Sequence, residues 1–168
     1  LELRSRFYFM GPSQDSMDSP YALTMRDLLR QVSDEVLSRG HSIGFHPGYR
    51  TLRDRQEFHR QKVELEAIVG AEITEGRQHV LRYDCASTPA LWDQEGMHED
   101  FSLAYPDDIG FRNGACRTHK AYDLTARKPL GVDQTATCVT EFSMFDPRYQ
   151  SLSVDEALEK SMRLASAV

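Results

Sequence analysis

A chain of 168 residues, 40% hydrophobic and 27% charged, has the size of one domain and enough apolar content to bury a core rather than remain disordered. Its net charge of −6 argues against wholesale nucleic-acid binding, which needs a basic surface. No apolar run is long enough to cross a bilayer.

Cys85, Cys116 and Cys138 are widely spaced and odd in number. That pattern argues against a disulfide framework and for a reducing compartment, expected to be the cytoplasm. The thiols read as structural or incidental, since free cysteine is commonly a small buried hydrophobe. No secretory signal is visible at the start, Leu1-Glu2-Leu3-Arg4. The chain opens on leucine and enters a strand-like pattern almost at once, so excision from a longer protein is expected.

The first element is Arg6 to Met10, an aromatic-rich strand bounded by Gly11-Pro12. Residues 11–20 collect Pro, Ser, Asp and Gln, the composition of a loop. The spacing of Met25, Leu28, Leu29, Val32 and Val36 predicts a helix from Tyr21 to Arg39, closed by Gly40. A short strand follows, Ser42 to Phe45, ended by Pro47-Gly48.

Asp54 caps a second helix with Glu57 as its capping-box partner, and Gly70 closes it. Gln78 to Tyr83 reads as a strand. Thr88-Pro89 reads as a cap and first turn of a short helix that stops at Gly96. From Met97 to Gly131 the pattern weakens into short strands and ordered loops. Thr135 to Met144 alternates as a strand does, and Ser153 with Glu156 opens a last helix.

The alternation of strands and helices predicts right-handed βαβ units and a mainly parallel α/β sheet in one domain, residues 1–168. Loops after the strands then gather on one rim. That rim carries Asp15, Asp18, His46 and His79.

His46 ends an apolar run and precedes Pro47. A neutral imidazole there suits a divalent metal, or a hydrogen bond that orders the loop. On a strand, Arg77, His79 and Leu81 share a face, and Arg followed by His suits a polar pocket better than a core. His41 stands beside a helix C-terminus, where a cation complements the dipole. His59 reads as part of a solvated helix face. Asp15 and Asp18 read first as loop and cap residues ahead of Pro20, and second as metal donors. Arg112, in Gly110-Phe111-Arg112-Asn113-Gly114, suits either a carboxylate or phosphate clamp or a loop ion pair. No Gly-rich phosphate loop, nucleophile elbow or His-Glu-x-x-His helix is present.

Gly40-His41-Ser42-Ile43-Gly44-Phe45-His46 resembles the Gly-His-Glu-Ile-Gly-x-His segment of the NodB-homology polysaccharide deacetylases. Arg6 to Met10 looks like the phenylalanine-rich strand before it. Arg77-Gln78-His79 is similar to the arginine-containing motif after it. Residues 111–117, Asp123-Leu124 and Pro129-Leu130 are similar to later segments of an atypical branch tied to surface-polysaccharide and O-antigen gene clusters.

The resemblance implies a distorted (β/α) barrel, here incomplete. It also implies a divalent metal, usually zinc, and hydrolysis of an N-acetyl group from a sugar. His46 and His79 are the metal-ligand candidates, and Tyr49, Arg50, Arg77 and Arg112 the substrate-binding candidates. Arg50 stands where typical members place a second metal histidine, and His79 stands where they place proline. The family's aspartate pair and last histidine have no counterpart, so no catalytic acid or base is assigned. The expected partners are a carbohydrate substrate and, through sheet edges, other copies of the chain. Two other readings stand beside the enzyme: a non-catalytic carbohydrate-binding or scaffolding protein, and a phosphosugar or carboxylate binder using Arg77, Arg82 and Arg112.

Overall fold

The computed structural model describes residues 3–167. Among them six strands form one sheet in the order β1-β2-β3-β4-β6-β5. They are β1 (Arg6–Met10), β2 (Ser42–His46), β3 (Glu75–Gly76), β4 (Glu99–Asp100), β5 (His119–Asp123) and β6 (Lys128–Gln134). All pairs are parallel except β5 with β6. The α/β class and the mainly parallel sheet are therefore as expected. The sheet is open: β1 and β5 are its edges, and it does not close into a barrel.

Alternation along β2 sorts its side chains. Ile43 and Phe45 face the helices and are buried. Phe45 meets Phe58 edge-on at 5.1 Å, and Phe58 meets Trp92 at 6.0 Å. Leu65, Ile68, Ile73 and Val132 complete this core, each burial worth roughly 1.5–3 kcal/mol. Ser42, Gly44 and His46 belong to the opposite face. A Cβ at Gly44 would strike the ring of Tyr8. Phe45 and His46 thus take opposite sides of the sheet because they are neighbours in a strand.

The helices are α1 (Tyr21–Thr24), α2 (Arg26–Ser38), α3 (Arg55–Val69), α4 (Thr88–Gln94), α5 (Glu141–Phe145) and α6 (Val154–Ser166). The single helix expected from Tyr21 to Arg39 is broken at Met25, whose φ of −128° is not helical. Asp54 accepts the Glu57 amide at 3.0 Å, and Gly70 closes α3 at φ 76°. Ser153 and Glu156 form the expected reciprocal capping box.

Other expectations fail. The strand expected at Gln78 to Tyr83 lies earlier, at Glu75–Gly76. After Arg77 donates to the Phe45 carbonyl, the Gln78 amide turns to Ser102 Oγ at 2.9 Å, so the ladder stops. His79–Leu81 is a 3₁₀ turn, and Arg77 and His79 do not share a strand face. Thr135 to Met144 is no strand: β6 ends at Gln134, and Thr140 caps α5 by accepting the Ser143 amide. Thr88 does not cap α4. It is the first helical residue, and its hydroxyl accepts from the Asp84 amide at 3.0 Å. No helix among the described residues is long and apolar enough to cross a membrane.

Candidate functional site

The carboxyl ends of the parallel strands place Met10, His46, Gly76, Asp100 and Gln134 along one rim. In open α/β sheets this is the rim that binds ligands. His46 is the last residue of β2, and β1–β2 register sets it opposite Met10. His79 arrives from the turn after β3. The two rings stand perpendicular (89°), with His46 Nε2 3.0 Å from His79 Nδ1.

The outer nitrogens fix the tautomers. His46 Nδ1 lies 2.5 Å from the Arg77 carbonyl oxygen and His79 Nε2 lies 3.0 Å from that of Met17. A carbonyl only accepts, so both outer nitrogens donate. Burial pushes His46 down to about 4, so it is neutral at pH 7 with a bare Nε2. A neutral His79 turns an equally bare Nδ1 toward it. Two lone pairs at that distance repel unless a proton or a cation lies between them.

Asp18 supports the pair from the loop after β1. Its side chain is almost wholly buried, with Oδ1 3.9 Å from His79 Nε2. Oδ1 accepts from the Tyr49 amide at 2.7 Å, and Oδ2 accepts from the Ser13 hydroxyl at 2.6 Å. Gly48 makes room for it, since a Cβ there would collide with Asp18 Oδ2 and the Gln61 amide. The loop-and-cap reading of Asp18 understated it. Nothing in its spacing foretells that its carboxylate is buried beside an imidazole.

The remaining candidates divide. Tyr49 is in the site, its ring 3.9 Å from the Arg82 guanidinium carbon. Arg77 is in the site through its carbonyl, while its guanidinium lies over the Tyr8 ring at 5.7 Å with a buried, unpartnered Nε. Arg50 points away to pair with Asp15, at the edge of a cleft of about 520 Å³ between the first loop and α3. Arg112 is apart from the pair. It donates to the Ala104 carbonyl and lines a separate cleft of about 440 Å³ with Tyr83 and His119.

His59 lies exposed on α3, as expected, and bonds Glu95 at 2.8 Å. Cys85 and Cys116 are exposed rather than buried, and all three thiols are unpaired.

A polar network that the sequence did not announce runs beneath the rim. Asp100 is buried and accepts from the Ser102 amide and hydroxyl and from Gln134 Nε2. Burial raises its pKa against the pull of those bonds. Gln134 also donates to the Tyr83 hydroxyl at 2.6 Å.

His46 Nε2 and His79 Nδ1 are two nitrogens that could serve a divalent metal. Two imidazole nitrogens bound to one tetrahedral ion lie roughly 3.3 Å apart, close to the observed spacing, and each outer N–H already has the carbonyl partner that metal-bound histidines use. Among the described residues no third His, Cys, Asp or Glu joins them in one cluster. Water and substrate would fill the other positions. Sequence comparison matches the chain to no family model and to no curated protein.

Proposed function

We propose that this chain carries the metal-binding side of a carbohydrate N-deacetylase. The enzyme would hydrolyse the N-acetyl amide of a sugar or surface-polysaccharide precursor, on an incomplete barrel of the NodB-homology type. The observation that carries the reading is the pair of facing ring nitrogens, His46 Nε2 and His79 Nδ1, on rings whose other nitrogens each meet a backbone carbonyl.

A bound divalent metal, zinc by the chemistry of two imidazoles, would polarise the amide carbonyl and acidify a water. The chain's own part is to hold and aim. The Arg77 and Met17 carbonyls fix both imidazole tautomers, and Asp18 stiffens His79 electrostatically. Tyr49 and Arg77 flank the pair as substrate contacts. A catalytic acid or base is left unassigned. Three unpaired thiols support a reducing, cytoplasmic setting. The unpaired outer edge of β1 supports self-association.

A non-catalytic carbohydrate-binding role is the second reading. It is favoured by Arg50, which occupies the resemblance's second histidine position and is engaged by Asp15. Zinc titration separates the two. The enzyme reading expects about one zinc per chain, lost in His46→Ala and His79→Ala. Wild-type protein that takes up no zinc, cobalt or manganese would sink it.

A further inference from the structure

We propose that the ligand of this rim carries an anionic group, and that Arg82, stacked on Tyr49, is the residue that selects it. The proposal rests on the histidine rim being a sugar-binding site and adds the class of sugar.

The first support is preorganisation. The Arg82 guanidinium carbon lies over the Tyr49 ring, 3.9 Å from its centroid, while Nη1 donates to the Tyr49 carbonyl at 2.5 Å. Those two contacts anchor the guanidinium and leave Nε and Nη2 uncommitted among the described residues, the edge that grips a carboxylate or phosphate in two parallel bonds.

Charge balance is the second. Acidic residues outnumber basic ones by 26 to 20, and many of the other arginines have acidic partners: Arg6, Arg39, Arg50, Arg55, Arg60, Arg148 and Arg163. Among the described residues no carboxylate lies within ion-pair distance of Arg82 or Arg77, the two guanidiniums next to the histidines in the chain. Arg77 adds a buried Nε with no partner at all. Unpaired cations in an acidic protein suit an anion from outside.

The third is the backbone. Val80 and Leu81 both adopt left-handed φ values, 46° and 54°, between His79 and Arg82. For a β-branched residue this is a costly conformation, and such strain collects at ligand clamps. It reverses the chain in one turn, with the Arg82 amide on the His79 carbonyl at 3.1 Å. The imidazole and the guanidinium are thereby presented from one short loop.

The shared chemistry is an oxyanion on a sugar, borne by a uronic-acid carboxylate or by a phosphate ester. Glucose, glucuronate and glucose 6-phosphate differ only at C6 and make a matched set. Binding to the full chain would be followed by NMR titration at low salt with a chelator present, so that no metal contributes. One of the two anionic sugars is expected to bind at least about tenfold tighter than glucose, and which one identifies the source. Arg82→Gln should abolish that preference, and Arg82→Lys should keep only part of it because the planar fork is lost. If Arg82→Gln does not fold by circular dichroism, Arg82→Lys alone decides. Equal affinity for the three sugars, no binding of any, or a preference unchanged in both variants overturns the proposal. His46→Ala should retain the anion preference. Wild-type protein that takes up no zinc yet shows that preference would remove the deacetylase reading and leave the clamp.

Discussion

Asp18 and His79 are joined at one remove: the carboxylate that takes the Tyr49 amide lies 3.9 Å from the imidazole nitrogen that holds the Met17 carbonyl. The loop after β1 and the turn after β3 are thus coupled through a buried charge. Asp18→Asn keeps the shape and removes the charge. It should weaken zinc binding by roughly tenfold, as changes behind a ligating histidine do. Asp18→Ala leaves the Tyr49 amide unpartnered and should also cost about 1–3 kcal/mol in urea unfolding. Unchanged zinc affinity in both variants would place Asp18 outside the site.

His46 gives the metal-free protein an acid sensitivity. Its folded pKa of about 4 lies below the unfolded value near 6.5. The unfolded chain therefore binds a proton that the folded chain refuses. The resulting stability is full above pH 6.5 and is lost as pH falls toward 4, on the order of 3 kcal/mol in all. Urea midpoints measured from pH 7.5 to 4.5 should fall more steeply for wild type than for His46→Gln. Parallel curves would refute the assignment.

The turn at Val80 invites relief. The residue is 56% exposed, so removing its side chain forfeits little burial, while its φ of 46° strains a β-branched residue. Strain of about 1–3 kcal/mol outweighs the 0.5–1 kcal/mol entropic cost of glycine. Val80→Gly is expected to raise stability by about 1 kcal/mol and, by loosening the clamp, to weaken sugar binding. A destabilised variant would contradict this.

Beside β1, Phe9, Tyr21, Met25, Leu28, Leu29 and Val32 line an almost wholly apolar groove of about 400 Å³. Together with the free strand edge it should drive association at high concentration. Sedimentation velocity is expected to show weight-average mass rising with concentration, and Leu28→Lys should suppress the rise. A strict monomer across the range would exclude it.

The α/β class, the Asp54 and Ser153 caps and the glycine stops at Gly40 and Gly70 were legible because each is a local signal. The meeting of His46 with His79 was legible from topology: one ends a strand and the other follows its neighbour, and the carboxyl ends of both strands share a rim. Asp18 and Asp100 were not, since burial of a carboxylate depends on partners dozens of residues away, Tyr49 for one and Gln134 for the other. The strand expected over Gln78 to Tyr83 failed for the same reason. Apolar alternation describes side chains, whereas a single hydroxyl, Ser102 Oγ, ended the ladder by capturing the Gln78 amide.

Because Met10 and His46 are locked in register and Phe45 is committed to the opposite side, the site depends on counting as much as on chemistry. Inserting one residue between Gly40 and His46 would turn the imidazole to the side of the aromatic core and bring a phenylalanine to the rim. Anyone redesigning this protein can vary letters in that segment far more freely than its length.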